Sequence, residues 1–260
     1  MIPTALTIAG SDPSGGAGIQ ADLKTFSALK VYGMSVIAAL TAQSTLGVRE
    51  VMEIPAEFVG LQLDAVLTDI PPGGVKTGML GTAAVVEVVA RKVREYRLDN
   101  VVVDPVMVSS SGTPLLEAAG VEMLKRSLLP AALLVTPNLA EAASLAGMEV
   151  RDVAAMEEAA RRLYAMGARH VLVKGGHLEG DAVDVFFDGK RIERLSSARI
   201  RTTNLHGTGC VLSAAVAGYL ALGHSVFEAV VKAKEFVTES ILTGLRLGGG
   251  AGPVNPGACL

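Results

Sequence analysis

Leu205-His206-Gly207-Thr208-Gly209-Cys210-Val211-Leu212-Ser213-Ala214-Ala215-Val216-Ala217-Gly218-Tyr219-Leu220-Ala221-Leu222 is the stretch on which the reading of the fold turns. From Cys210 to Leu222 it carries no charge. It is shorter than the ~20 apolar residues that cross a bilayer, so it predicts a helix buried inside a globular domain. Gly223 supplies the stop. Gly207 and Gly209 let the backbone turn tightly and leave its N–H groups uncovered by side chains. At a helix start those groups lack partners and the helix dipole adds positive charge, which makes a pocket for an anion or for developing negative charge. Cys210 stands at its mouth, where a thiolate would be stabilised. A glycine turn that merely caps a core helix, with Cys210 as a small hydrophobe, accounts for the stretch equally well.

A helix without a polar face needs neighbours on all sides, and the rest of the chain supplies them. It has 260 residues, 50% of them hydrophobic, enough for a large core. Short apolar strands alternate with helical patterns throughout, without repeats or linkers. This predicts a single domain over residues 1–260 with a mostly parallel sheet covered on both faces. Net charge is −3, and no basic run suggests nucleic acid. Two cysteines far apart form no disulfide framework, and the N-terminus lacks a signal peptide's positive region. A cytoplasmic protein with no membrane partner is expected. The four histidines show no zinc spacing.

Taken in order, Ala5-Leu6-Thr7-Ile8-Ala9 reads as a strand that runs into Gly10-Ser11-Asp12-Pro13-Ser14-Gly15-Gly16-Ala17-Gly18 and then a helix, a ligand-binding layout. No Gly-Lys-Ser/Thr closes a Walker loop. Gly16-x-Gly18-x-x-Ala21 is a permitted dinucleotide fingerprint, but the next strand, residues 35–40, ends in Thr41-Ala42-Gln43-Ser44-Thr45 rather than in the acid that ribose requires. Gln43 suits a heterocycle edge, since an amide donates and accepts together, or is a polar loop residue. Helices are expected over 55–70, 82–96, 120–129, 154–166 and 225–245. The loop Ser109-Ser110-Ser111-Gly112 reads as mobile. Asp104 ends the strand Val101-Val102-Val103, a position for a metal or substrate or for turn initiation before Pro105. Asn138 and Glu141 form a capping box, or Glu141 joins Asp104 at a magnesium ion. Lys174-Gly175-Gly176 at another strand end suits phosphate. A hairpin turns at Asp188-Gly189.

Together these motifs resemble the ribokinase-like superfamily, and within it the hydroxymethylpyrimidine/phosphomethylpyrimidine kinases. The resemblance is carried by Ala9–Lys24, Thr41-Ala42-Gln43, Lys76-Thr77-Gly78-Met79-Leu80, Asp104-Pro105-Val106-Met107, Thr136-Pro137-Asn138 with Glu141, Lys174-Gly175-Gly176-His177 and His206-Gly207-Thr208-Gly209-Cys210. It implies a three-layer α/β/α fold, often dimeric, with ATP and Mg²⁺ as cofactors. Gly207, Thr208, Gly209 and Cys210 would form the anion hole, with Cys210 also taking the substrate hydroxyl's proton. Most of the superfamily has aspartate there; cysteine marks the pyrimidine kinases and some vitamin B6 kinases. Gln43 would read the aminopyrimidine edge, and Gly10, Asp22, Met79 and Val106 would line its pocket. Asp104 and Glu141 would organise Mg²⁺, directly or through water. Asn138, Lys174, Gly175 and Thr208 would face ATP. The expected activity is phosphorylation of 4-amino-5-hydroxymethyl-2-methylpyrimidine and of its monophosphate. Pyridoxal is the rival substrate. A nicotinamide oxidoreductase and a non-catalytic pyrimidine binder are the competing classes.

Overall fold

The computed structural model describes residues 2–109, 112–176, 178 and 180–259. Ser110 and Ser111 of the loop expected to be mobile, and His177 of the quoted motif, lie outside them. The chain begins with β1 (Thr4–Ser11), α1 (Gly18–Ala28), β2 (Tyr32–Ser44), β3 (Gly47–Glu53), α2 (Ala56–Leu67), β4 (Gly74–Thr77), α3 (Ala83–Glu95), β5 (Val101–Val103) and α4 (Ala118–Met123). It continues with β6 (Leu134–Val135), α5 (Leu139–Ala146), α6 (Val153–Ala165), β7 (Val171–Val173), β8 (Ala182–Phe187), β9 (Ile192–Ser197), α7 (Thr208–Ala221) and α8 (Val226–Leu242). One nine-stranded sheet runs β3-β2-β1-β4-β5-β6-β7-β8-β9. Strands β2 to β7 pair in parallel, while β3, β8 and β9 add antiparallel edges.

The strands are apolar without alternation because both faces are covered. Val101 and Val103 point into one core with Leu63 of α2, Val86 of α3 and Leu163 of α6. Val102 points the other way, into a core with Phe26 of α1, Val216 of α7 and Val230 of α8. Helix α7 is uncharged because it lies between the sheet and helices α1 and α8. A Cβ on Gly74, at the start of β4, would meet Ala217 O at 2.1 Å, which fixes how closely α7 crosses the sheet. The later turns of α7 therefore lie beside the start of β4.

Side-chain caps fix the starts of several helices. Thr82 caps α3 by accepting from Val85 N, and Ser225 with Glu228 forms a capping box on α8. Two expectations change. The strand expected over 35–40 runs on through Gln43 to Ser44, because β3 pairs with it from Ser44↔Gly47 to Ala39↔Glu53. The helix expected over 120–129 is α4 followed by a π-helical turn, Leu124–Leu128, and a 3₁₀ turn, Leu129–Ala131, which ends where Pro130 removes a backbone donor.

Candidate active site

Strand β1 sits between β2 and β4, so the order of strands reverses at β1 and a crevice opens at the carboxyl ends of the central strands. The N-terminus of α7 closes that crevice. Gly207 has φ 84°, and a Cβ there would lie 1.8 Å from Gly16 O, so only glycine seats α7 against the first glycine loop. No side chain caps α7. Thr208 turns both its N–H (3.2 Å) and its hydroxyl (2.7 Å) back to Leu205 O. Of the expected anion-hole donors Thr208 is thus held away from the role expected of it, while the N–H groups of Gly209 and Cys210 lie in the first turn of α7, where a helix offers them no acceptor.

Lys174 and Asp104 lie against this helix start. A Cβ on Gly209 would stand 3.4 Å from Lys174 Nζ and 3.8 Å from Asp104 Oδ2. Lys174 Nζ donates to Asp104 Oδ1 at 2.8 Å. Thr136 Oγ1 also donates to Asp104 (3.4 Å), and Ser213 Oγ lies 3.2 Å from it, its one hydrogen shared with the nearer Gly209 O (3.0 Å), so the ends of β5, β6 and β7 and the first turns of α7 meet around one carboxylate. Burial works against the Lys174 charge, but Asp104 and Glu141 outweigh it and raise its pKa. Burial also pushes the Glu141 carboxyl up to about 7, with Lys174 pulling it down and Asp104 pushing it further up.

Asn138 and Glu141 form the capping box: Asn138 N donates to Glu141 Oε2 (2.8 Å) and Glu141 N to Asn138 Oδ1 (2.9 Å). The cap and a place beside Lys174 are one arrangement, not alternatives. Among the described residues no group of three or more His, Cys, Asp or Glu side chains could cage a metal. Two carboxylates that repel each other beside an open helix start do fit a magnesium ion completed by phosphate and water.

Gly175 departs from expectation. Its N–H donates to Asp184 Oδ1 at 2.9 Å, and a Cβ would lie 1.9 Å from Val183 O. It serves close packing against β8 rather than offering an amide to phosphate.

On the other side of α7, a Cβ on Gly10 would touch Met79 Sδ at 3.0 Å, so these two expected pocket residues adjoin. Val106 and Gln43 are half-buried. Asp22 has no exposed surface. It accepts from Lys76 Nζ (2.8 Å) and Thr7 Oγ1 (2.6 Å), which corrects its expected place on the pocket lining: a carboxylate paired this way stays beneath the surface. Burial disfavours the Lys76 ammonium, yet the Asp22 carboxylate outweighs it and raises the Lys76 pKa.

Cys210 is the largest correction. The helix start was expected to favour its thiolate. Instead, burial pushes the thiol up to about 11; Lys76 pulls it down, while Asp22 and Asp104 push it further up. Burial is the main cause, and the two carboxylates that add to it come from distant sequence.

Sequence reasoning assigned no role to Lys76, Asp12 or His206. Asp12 Oδ1 accepts from Ser14 N and Oγ, and Asp12 Oδ2 from Ala17 N and His206 Nε2, so one carboxylate shapes the loop and ties it to α7. Burial would raise the Asp12 pKa, but the hydrogen bonds from His206 and Ser14 prevail and hold it at about 2. An Asp-x-Ser turn at Asp12-Pro13-Ser14 is a signal from which the loop shape can be read. A lysine inside a short apolar strand is the signal for Lys76.

Residues 12–255 match the phosphomethylpyrimidine kinase family. The chain is 53% identical over 251 residues to a thiamine biosynthesis bifunctional protein of Geobacter sulfurreducens, covering 96% of this chain but only 51% of that protein. It thus spans about half the length of that relative. It is 46% identical to the hydroxymethylpyrimidine/phosphomethylpyrimidine kinase of Bacillus subtilis, covering 96% of this chain and 93% of that enzyme. Among solved structures, the ADP complex of Bacillus subtilis pyridoxal kinase superposes with a TM-score of 0.93 at 41% identity, covering 99% and 98% of the two chains. Ribokinase-like in fold, the chain belongs to the phosphomethylpyrimidine kinase family.

Proposed function

We propose that this chain, as one kinase domain, transfers the γ-phosphoryl group of ATP to the hydroxymethyl oxygen of 4-amino-5-hydroxymethyl-2-methylpyrimidine, and a second phosphoryl group to the monophosphate, in thiamine biosynthesis. The observation that carries this reading is the uncapped start of α7, with the Gly209 position 3.4 Å from Lys174 Nζ, at the crevice that Gln43 reaches from β2. Phosphoryl transfer is mostly positioning and charge stabilisation. The N–H groups of Gly209 and Cys210 and the Lys174 ammonium supply positive charge where the transferring group passes. Asn138 Oδ1 is committed to its cap, which leaves the Nδ2 group to meet nucleotide phosphate. Asp104 and Glu141 would hold Mg²⁺, directly or through water; the ion neutralises phosphate charge when bound. The ionised fraction of Cys210, its thiolate, takes the acceptor hydroxyl's proton and becomes the thiol. The wider fit to a pyridoxal kinase, with a TM-score of 0.93, favours pyridoxal as a second substrate. ADP release in a coupled assay should be fast with the pyrimidine alcohol and its phosphate, slower with pyridoxal and absent with ribose. Release that is fastest with pyridoxal would overturn the substrate assignment.

Two further expectations follow from the site. Asp104→Ala and Glu141→Ala should each raise the magnesium concentration needed for half-maximal rate. Unchanged titrations in both would make these carboxylates structural only. Gln43→Ala should weaken pyrimidine binding by about 1–3 kcal/mol, the cost of unpaired buried polar groups, while leaving ATP affinity intact. Equal losses for both ligands, measured by calorimetry, would indicate a folding defect.

A homodimer is part of the same reading. It is supported by apolar exposure on the β2–β3 edge, where Leu40 and Met52 pair across the strands at 39% and 65% exposure. A reducing cytoplasmic setting is supported by a free thiol at the centre of the site. Among the described residues no helix is long and apolar enough to cross a membrane.

A further inference from the structure

Gln43 sits between two partners whose hydrogens can be counted. As placed, its oxygen faces Thr41 Oγ1 at 3.2 Å and its nitrogen faces His206 Nε2 at 3.5 Å. Thr41 has one hydroxyl hydrogen, and Ser11 O takes it at 2.9 Å. Only a lone pair of Oγ1 is then left for Gln43, so the amide atom beside it has to be a donor. His206 Nε2 lies 2.8 Å from Asp12 Oδ2. That carboxylate is held ionised by His206 and by Ser14, so Nε2 carries the hydrogen and has no lone pair for an amide nitrogen. Both contacts fail with the oxygen toward Thr41. Both succeed when the amide is turned by half a rotation: the nitrogen donates to Thr41 Oγ1, and the oxygen takes the long branch of a shared hydrogen bond from His206 Nε2.

We propose that His206 is a positioning residue that fixes the direction of the Gln43 carboxamide, and so selects a 4-aminopyrimidine over its 4-oxo counterpart. The inference rests on the pyrimidine reading above. With the oxygen on the His206 side, Gln43 offers the ligand an acceptor there and an N–H on the Thr41 side. The 5-hydroxymethyl group has to reach the start of α7, which His206 precedes, so the adjacent 4-position lies on the His206 side; a 4-amino edge in that pose presents a donor and then a ring-nitrogen acceptor, which matches this order. A 4-oxo edge presents the same pair reversed. An amide free to rotate would accommodate either; an amide held at both ends accommodates one. His206 is 6% exposed, directly precedes Gly207 and ties Gln43 on β2 to the Asp12 loop, so the selecting group is anchored at the start of α7.

The test is calorimetric binding of 4-amino-5-hydroxymethyl-2-methylpyrimidine and of its 4-oxo analogue, without ATP. The wild type should prefer the amino compound by at least about 100-fold, the loss expected from two mismatched buried hydrogen bonds. His206→Met removes the donor and should reduce that preference to roughly 10-fold or less, with ATP affinity unchanged. His206→Gln places an N–H at a similar reach and should restore most of it. A His206→Met protein that keeps the full preference overturns the proposal. Should that variant not fold, nitrogen-15 NMR of the wild-type histidine rings still decides. A protonated Nε2 on His206 is expected, and an unprotonated Nε2 with the hydrogen on Nδ1 overturns the proposal. If the wild type binds neither pyrimidine, the substrate reading falls, and the ring spectrum alone then judges the hydrogen-bond assignment.

Discussion

Lys174→Ala is expected to lower kcat by roughly 100- to 1000-fold, the range found when a preorganised charge contact to a transition state is lost. The ammonium lies 2.8 Å from Asp104 and beside the Gly209 position, so it is held where charge on the transferring group develops. The asparagine-lysine bridge between Asn138 and Lys174 fixes the backbone beneath it. Its pKa is raised by Asp104 and Glu141 against the effect of burial, so it stays charged throughout the neutral range. The substitution also leaves two carboxylates facing each other without their cation, so thermal stability should fall too. Steady-state kinetics on protein confirmed as folded separates the two effects. The pyrimidine KM should change little while kcat collapses. A variant with wild-type kcat and kcat/KM for ATP would show that Lys174 only balances Asp104.

Cys210→Ala should cost roughly 100- to 10,000-fold in rate if the Cys210 thiolate takes the substrate proton, because general-base steps carry about that much. The raised thiol pKa sets the sign of the pH dependence. At about 11, the thiol is almost wholly protonated at pH 7, and its reactive fraction grows as pH rises. The wild-type kcat should therefore climb by up to about tenfold per unit between roughly pH 7 and 9. Cys210→Ala should lose that slope while keeping the backbone N–H that faces phosphate. Cys210→Asp should recover part of the rate with a flatter profile, since a carboxylate there needs no high pH to ionise unless Asp22 and Asp104 raise it strongly. A flat wild-type profile, matched in rate by Cys210→Ala, would remove the thiol from the chemistry and leave positioning alone.

What the sequence makes legible are features set by neighbours along the chain. The apolar strands, the helix starts at Thr82 and Ser225, the Asn138–Glu141 box and the buried helix after Gly207 each depend on residues a few positions apart, and each appears in the structure. Strand β3 was missed because Arg49, Glu50 and Glu53 on an exposed edge hide its alternation. The site was legible as a set of motifs but not as electrostatics. Asp22 reads as a polar residue on α1 until Lys76, 54 positions later, proves to be its buried partner. The thiol of Cys210 reads as activated until the fold buries it, with Asp22 and Asp104 adding to the effect. Gly175 reads as a phosphate amide until Asp184, on the following strand, takes its N–H. In each case burial or a partner supplied by the folded chain decides the chemistry, and periodicity carries no trace of it.

Phosphoryl transfer to a pyrimidine alcohol at the start of α7 is tested most directly by identifying the product. The purified protein, Mg²⁺ and ATP are mixed with equal concentrations of 4-amino-5-hydroxymethyl-2-methylpyrimidine and pyridoxal, and the phosphorylated species are followed by mass spectrometry. The pyrimidine monophosphate should appear first and the diphosphate after it, with pyridoxal phosphate trailing both. Pyridoxal phosphate as the dominant product, or ADP without any phosphorylated pyrimidine, would contradict it.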